Sequence, residues 1–366
     1  MATFDMVFEG GGAKGTAFVG ALEVLFAAGH RHRRLVGTSA GAITATLLGA
    51  GYSPQEFLNA VNETVPGTGA PVFTTFLDAP QLADFSQANI NNSETMGFLK
   101  TVHIPGLLDT ALINQLMRID LYRELFSFVE CGGFYSGGAF LSWFRSKLQA
   151  KGLSPDITWK DFAQKTGSDV SVLTSDVDDQ ERVVLNARTA PDAPVAMSVR
   201  MSMSIPFVWR EIIWDARWGA YRGQSKATHR FVDGGVLSNF PIQLIADADA
   251  ETIAIMGTTD PAGAGNLGLL LDEKIQVPGA AQSDTRRPRL RTADRVTRLV
   301  DTMMGSNDAD AMRSHPEAVC RIPVGGYGTT EFRMSKPRMD ALIESGRTAM
   351  RAYLQGLPKA TGAPVT

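Results

Sequence analysis

One serine between two glycines is the pattern in this chain that points most directly to catalysis. Ser39 is the centre of a G-x-S-x-G pattern that follows the apolar run 34–36 and precedes a small-residue stretch able to form a helix. Such a pattern is typical of a strand that turns sharply into a helix and presents a nucleophilic hydroxyl at the turn. Gly37 and Gly41 suit this turn because a side chain there would press against the neighbouring backbone. Taken alone, the pattern also fits an ordinary strand-to-helix turn.

A glycine-rich turn near the N-terminus could supply a second part of a catalytic site. It follows a β-prone run at residues 3–8, and its members are Gly10, Gly11, Gly12, Lys14 and Gly15. A dinucleotide site would need an acidic residue about 20 positions later, and a P-loop would need a different spacing before the lysine. Backbone N–H groups of consecutive glycines can instead converge on one developing oxyanion. The turn and the serine pattern stand on successive strand–helix units, which predicts that both lie at the carboxyl edge of neighbouring strands.

An aspartate at the end of a later strand could supply the third part. Residues 229–232 form a short β-prone run that ends in Asp233, and Gly234 and Gly235 follow. An aspartate before two glycines can be only a turn former. In a chain that also carries Ser39 and the glycine-rich turn, we interpret Asp233 as a catalytic carboxylate.

The composition limits the classes of function and the number of domains. The chain has 366 residues, of which 44% are hydrophobic and 20% charged, and its formal net charge is -3. These values give no electrostatic argument for a nucleic-acid partner. Two cysteines and five scattered histidines show no metal-ligand spacing, so we expect free thiols and neither a metal nor a cofactor. The N-terminus has no signal-peptide pattern, and no run reaches the roughly 20 apolar residues of a spanning helix, which predicts a cytoplasmic protein.

The remaining elements must position these residues. The pattern predicts an α/β alternation interrupted by an irregular insertion at about 65–135, placed where a lid would lie. It predicts strands at 170–173, 182–185, 252–256 and 319–324, helices at 138–149, 194–204 and 336–354, and loop for much of 260–291. A basic run of arginines lies at 286–298. Without repeats or low-complexity linkers, we expect one domain over 1–366, with a C-terminal extension at about 250–356.

Taken in this order, the three patterns resemble the patatin-like phospholipase family. The resemblance covers about residues 4–245, and it includes Asn239 and Pro241 after the aspartate and the stretch 198–206 before it. It implies a three-layer α/β/α fold with a mainly parallel central sheet. It also implies a Ser39–Asp233 dyad in which Asp233 takes the serine proton, and an oxyanion hole formed by glycine amides of the 10–12 turn. The implied substrate is a phospholipid or another acyl lipid met at a membrane surface.

Two alternatives remain open at this point. A triad carboxylesterase acting on soluble esters would need a histidine after the acid, and His315 is the one histidine in that part of the sequence. We expect His229 to face solvent or the sheet edge. A binding module with this fold would keep the glycine-rich turn but would have no use for both Ser39 and Asp233. The sequence does not indicate the oligomeric state or the head-group preference.

The insertion gives a further expectation. A phospholipid acyl chain is apolar, so an enzyme acting on it must present apolar surface at the bilayer. Residues 96–128 are rich in large apolar side chains, among them Leu107 and Leu108. We expect part of this stretch to form a mobile cover that meets lipid.

Overall fold

The fold is built on one large mixed sheet. The computed structural model describes residues 1–85, 90–95, 116–258, 263–279, 302 and 314–357, and eight of the strands in those ranges form this sheet. The strands are β1 (Thr3–Phe8), β2 (Arg31–Thr38), β3 (Gly133–Tyr135), β4 (Asp169–Asp176), β5 (Glu181–Leu185), β6 (Phe207–Trp209), β7 (Ile212–Ile213), β8 (Ala220–Tyr221), β9 (Gln224–Ser225), β10 (Arg230–Asp233), β11 (Gly265–Gln276) and β12 (Val319–Gly325). The α-helices are α1 (Ala17–Ala27), α2 (Ala40–Gly49), α3 (Pro54–Val61), α4 (Asp120–Cys131), α5 (Gly138–Ala150), α6 (Trp159–Thr166), α7 (Val195–Ser202), α8 (Gln243–Ala246), α9 (Ala250–Met256) and α10 (Lys336–Gly356).

The centre of the sheet is parallel and one end of it is antiparallel. Strands β12, β11, β1, β2 and β4 are neighbours in that order, and each pair among them is parallel. Strands β5 and β10 pair antiparallel with β4, and β7 pairs antiparallel with β10. The expected mainly parallel sheet is therefore confirmed.

Two strands meet end to end along one edge of β4, and this arrangement positions the site. Strand β5 occupies one edge of β4, so β2 and β10 both lie along the other edge. Strand β2 arrives with Thr38 opposite Leu173, and β10 arrives from the other direction with Asp233 opposite Thr174. Successive residues of a strand rise about 3.3 Å. The carboxyl ends of β2 and β10 therefore face each other, opposite the adjacent residues Leu173 and Thr174 of β4.

Both faces of the central sheet are buried. Met6 and Phe8 of β1 pack into a cluster with apolar residues of α1, α2 and α10, whereas Val7 packs on the opposite face with residues of α8 and α9. Side chains of a strand alternate between faces, so this division shows helices on both sides of the sheet. The three-layer α/β/α fold is thus confirmed.

Most of the elements expected from the sequence are present, and two expectations were wrong. The strands at 170–173, 182–185 and 319–324 and the helices at 138–149, 194–204 and 336–354 are found with small shifts of their ends. Residues 252–256 form the end of α9 rather than a strand, and Asp249 caps that helix by accepting the N–H groups of Glu251 and Thr252. Residues 265–276, expected as loop, form the long strand β11 between β1 and β12.

The insertion is described only in part. Residues 96–115, and with them Leu107 and Leu108, lie outside the described residues, as does the arginine run at 286–298. Helix α4 belongs to the described part of the insertion. Cys131 and Cys320 are free thiols, as expected. No helix in the described ranges is long and apolar enough to cross a membrane.

Candidate active site

Ser39 occupies a strained backbone position between β2 and α2. Its φ is 53° and its ψ is -118°, a region that non-glycine residues rarely adopt. A Cβ on Gly37 would overlap the carbonyl group of Gly41, and a Cβ on Gly41 would overlap the carbonyl group of Phe8. Both glycines therefore allow the tight turn that the sequence pattern predicted. A strained backbone of this kind costs about 1–3 kcal/mol, and such positions cluster at functional sites.

Asp233 ends β10 beside this turn and is fully buried. Its Oδ1 accepts the N–H of Gly235 at 2.8 Å, and its own N–H donates to the Ser204 carbonyl at 2.8 Å. Burial raises the pKa of Asp233 to about 7, against smaller lowering effects of the Ser39 side chain and the Gly235 amide. A Cβ on Gly234 would overlap the Leu173 carbonyl, so glycine permits the close approach of this turn to β4.

The side chains of Ser39 and Asp233 are neighbours, but they do not form a hydrogen bond of normal geometry. The Ser39 side chain lies near enough to Asp233 to lower the pKa of its carboxyl group. Oδ2 of Asp233 is nevertheless buried without a hydrogen bond of normal geometry to the described residues. The contact between the two side chains is therefore loose, as catalytic hydrogen bonds often are in enzymes without substrate. An acceptor of this kind can take the proton of an adjacent hydroxyl.

The glycine-rich turn lies against Ser39, since a Cβ on Gly10 would be 3.3 Å from the Ser39 Cβ. Gly10 donates its N–H to the Asn239 carbonyl at 3.1 Å, so that amide already has a partner. The amides of Gly11 and Gly12 have no partner among the described residues; Gly11 caps a short 3-10 helix, and Gly12 is its first residue. Gly12 has a φ of 54°, and a Cβ there would overlap the carbonyl group of Thr329. Two amides therefore remain available for an anion.

The motif residues around the turn have packing and ion-pair roles. Lys14 is 3% exposed and forms an ion pair with Glu273 of β11, which fixes the turn to the sheet. Gly15 lies against Ala40, where a Cβ would clash with the alanine methyl group. The α2 helix can therefore pack directly on the turn, and this contact holds the glycine amides next to Ser39.

The end of helix α7 and the residues just after it form hydrogen bonds with the backbone of both Ser39 and Asp233. The Ser202 hydroxyl accepts the N–H of Ser39 at 2.9 Å, and Ser204 holds the N–H of Asp233 through its carbonyl. The buried guanidinium of Arg200 donates to the Ser204 hydroxyl and, at 2.8 Å, to the Ser136 carbonyl. Burial lowers the pKa of Arg200 to about 10, so it stays charged at neutral pH. Local sequence patterns indicate no separate roles for these residues, because their contacts join distant parts of the chain.

The described histidines do not join Ser39 or Asp233. His229 Nδ1 lies 2.8 Å from Asp176 Oδ2, and His315 Nε2 lies 3.5 Å from Asp247 Oδ1. In the described ranges no histidine has a hydrogen bond with Ser39 or Asp233. Within the part of the chain that the structure describes, the geometry thus offers a serine and an aspartate, but no third triad member.

One cluster in the described ranges has the composition of a metal site. Asp176, Asp179 and His229 bring three ligand atoms within 4.8 Å of one another. Lys226 is 2% exposed, and its Nζ lies 3.0 Å from Asp176 and 2.6 Å from Asp179. A buried ammonium already forms ion pairs with both carboxylates and with Glu181, so we assign the cluster a structural role in joining β10 to the end of β4.

Known proteins show the same family pattern. A family model described as patatin-like phospholipase matches residues 6–246. The uncharacterized protein YqhO of Bacillus subtilis (strain 168) is 28% identical over 361 residues, which cover 96% of this chain and 98% of that protein. The probable lipid hydrolase 463L of Invertebrate iridescent virus 6 is 22% identical over 239 residues, covering 65% of this chain and 62% of that protein.

Two solved structures are similar at lower levels. VipD from Legionella pneumophila has a TM-score of 0.44 at 15% identity, with 96% of this chain and 66% of that chain covered. The type III effector protein ExoU of Pseudomonas aeruginosa has a TM-score of 0.42 at 17% identity, with 97% of this chain and 53% of that chain covered. Because both TM-scores are low, the assignment rests on the family model, which matches more than half of the chain. The chain therefore belongs to the patatin-like phospholipase family and is a lipid acyl hydrolase.

Proposed function

We propose that this chain hydrolyses carboxylic esters of phospholipids or other acyl lipids through a Ser39–Asp233 dyad. The observation that carries the proposal is the meeting of β2 and β10 on one edge of β4. It sets the strained Ser39 beside a buried carboxylate whose Oδ2 has no closed hydrogen bond. A serine hydroxyl needs an adjacent base to become a nucleophile, and this arrangement provides one.

The reaction follows from the positions of these groups. Asp233 accepts the Ser39 proton while Oγ attacks the ester carbonyl carbon, and the carbonyl oxygen takes the negative charge. The Gly11 and Gly12 amides donate to that oxygen. Collapse of the tetrahedral intermediate expels the alcohol, which takes the proton from Asp233, and leaves an acyl group on Ser39. Water then attacks the acyl carbon while Asp233 takes its proton, and the bond from Oγ to the acyl group breaks. Asp233 returns the proton to Oγ, so the fatty acid leaves and the Ser39 hydroxyl is restored.

The raised pKa makes Asp233 a better base than an ordinary aspartate. A free aspartate has a pKa of about 3.9, far below a serine hydroxyl. With its pKa raised to about 7 by burial, Asp233 binds the serine proton more strongly and is still largely ionised at slightly alkaline pH. The dyad therefore has a base with a pKa near neutral pH without a histidine.

We further propose that the enzyme meets its lipid at a membrane surface through α4. Leu121, Leu125 and Val129 of that helix are spaced by four residues, so they share one face, and they are 63%, 45% and 61% exposed. Phe126 and Arg123 on the opposite face are buried and fix the orientation of the helix. An exposed apolar ridge on an amphipathic helix is suited to the boundary between head groups and acyl chains.

The dyad is tested by hydrolysis of phosphatidylcholine vesicles and of p-nitrophenyl butyrate. Ser39→Ala and Asp233→Asn should each lower kcat by about a thousandfold or more, because the two residues act as a unit. Ser225→Ala and Asp178→Asn, at the surface and away from the site, are matched controls and should retain activity. An Asp233→Asn enzyme that keeps most of its activity would rule out the dyad. A similar loss in His315→Ala or His229→Ala would favour the triad esterase.

A further inference from the structure

A narrow apolar cavity of about 90 Å³ starts next to the nucleophile. Ala40, the residue after Ser39, and Gly12, which carries one of the proposed oxyanion donors, both line it. Ile43 and Thr44 line it one helical turn further along α2, about 5–6 Å from Ala40. The cavity therefore lies beside the turn that carries Ser39 and runs along the first part of α2.

The wall of this cavity offers no free hydroxyl donor to a ligand. Thr44 and Thr16 are the two hydroxyl-bearing residues of the lining, and their Oγ1 atoms donate to the carbonyl groups of Ala40 at 3.0 Å and Ala13 at 2.9 Å. Both hydroxyl protons are therefore already used within the protein, and the remaining lining is apolar or glycine. Such a wall suits hydrocarbon and disfavours a polar group, which would lose its hydrogen bonds to water.

Aromatic rings form part of the cavity wall. The rings of Phe76 and Trp143 lie 5.3 Å apart, and Trp143 is held in place by its Nε1 donating to Glu63 at 3.0 Å. A cavity of about 150 Å³ accommodates benzene. In proportion, this smaller cavity accommodates about three or four carbons.

We propose that the cavity binds the first three or four carbons of the substrate's acyl chain beyond the carbonyl group, with Ala60 and Ile43 setting the space available. This inference rests on the proposed Ser39–Asp233 chemistry. Phe332 and Met334 complete the wall and lie beyond residues 6–246, so the family match does not describe this part of the site. The segment that carries them is held over the glycine-rich turn by Thr329, whose carbonyl accepts the N–H of Ala13 at 2.9 Å.

The test compares p-nitrophenyl acetate, hexanoate and decanoate. In the unmodified enzyme, kcat/KM should rise about fourfold for each of the first methylenes added and then level off. Ala60→Leu fills the cavity and should lower the hexanoate-to-acetate ratio of kcat/KM about tenfold. Ile43→Ala enlarges the cavity and should raise the decanoate-to-hexanoate ratio severalfold. Ala349→Leu is a matched control, because Ala349 faces a different groove beside β12, and should leave both ratios unchanged.

The outcomes separate this inference from the proposed function. If Ser39→Ala abolishes hydrolysis of all three esters but neither cavity variant changes a ratio, the cavity does not bind the acyl chain and the dyad is unaffected. If both variants lose activity equally on all esters, the cavity does not discriminate between acyl chains and the inference is wrong. If Ser39→Ala retains activity, the proposed function itself is wrong. Opposite shifts in the two variants cannot come from a loss of stability, which melting temperatures would reveal separately.

Discussion

Burial of Asp233 should make this enzyme less stable at neutral pH than its inactive Asp233→Asn variant. Folding raises the pKa of this carboxyl group from about 3.8 to about 7, so the folded state holds a proton that the unfolded state has lost. Between these pH values the free energy of unfolding of the natural protein falls as pH rises, by about 1.4 kcal/mol per pH unit. Above pH 7, Asp233 is ionised in both the folded and the unfolded state, so the free energy of unfolding falls no further through this group. Asparagine has no such titration.

The size of the effect follows from the pH interval. Titration of Asp233 changes the stability of the natural protein only up to pH 7. Between pH 5 and pH 8, the change therefore comes from the two pH units between 5 and 7. The free energy of unfolding of Asp233→Asn, relative to the natural protein, should grow by about 3 kcal/mol over that range. The asparagine can keep the hydrogen bond from Gly235, because its Oδ1 takes the place of the carboxylate oxygen. Relaxation of the natural site around the charged carboxylate reduces this difference in the free energy of unfolding. We therefore expect it to grow by at least about 2 kcal/mol.

The assay is urea unfolding of both proteins at pH 5, 6, 7 and 8. Other titrating groups affect both proteins equally and cancel in the difference. Asp178→Asn is the matched control: the hydrogen bonds from Arg230 lower the pKa of Asp178 to about 2, so its contribution does not change between pH 5 and 8. A difference between Asp233→Asn and the natural protein that stays constant with pH would refute the reasoning, because it would mean that Asp233 is ionised at pH 5.

Three further predictions concern activity. Since the dyad needs an ionised base, kcat/KM should rise with pH and level off above about pH 7, and a flat profile from pH 5 to 8 would contradict the pKa of Asp233. Replacing Leu121 and Leu125 with serine should reduce hydrolysis of vesicle lipid at least tenfold more than hydrolysis of a soluble ester, whereas Ile253→Ser, an exposed residue on α9, should affect both alike. Gly12→Ala should lower the free energy of unfolding by about 2 kcal/mol and impair activity on every ester, because its φ of 54° disfavours a side chain. Unchanged stability and activity would show that this turn tolerates a side chain and would contradict the prediction.

The sequence predicted the parts of the site that local patterns encode. The turn at Ser39 needs glycine at two positions for steric reasons, so its shape could be read from five residues. The end-to-end meeting of β2 and β10 could not be predicted, because it depends on which edges of β4 are occupied by distant strands. The hydrogen bonds of Ser202 with Ser39 and of Arg200 with Ser204 depend on the same long-range packing.

The two wrong elements have local causes. Residues 252–256 are apolar and β-branched enough to suggest a strand, but Asp249 caps the preceding turn and starts α9. Strand β11 was missed because glycine, proline and alanine surround it in the sequence, although Leu269 and Leu271 face one side of the sheet and Leu270 the other. Its burial between β1 and β12 outweighs the loop-like composition.

Covalent labelling of Ser39 tests the proposed dyad most directly. A fluorophosphonate probe reacts with an activated serine, and peptide mass spectrometry identifies the modified residue. We expect a single adduct at Ser39, with a labelling rate that falls at least a hundredfold in Asp233→Asn and is unchanged in His229→Ala and His315→Ala. An adduct on another residue, or a rate at Ser39 that is unaffected by Asp233→Asn and lost in a histidine variant, would contradict the proposed mechanism.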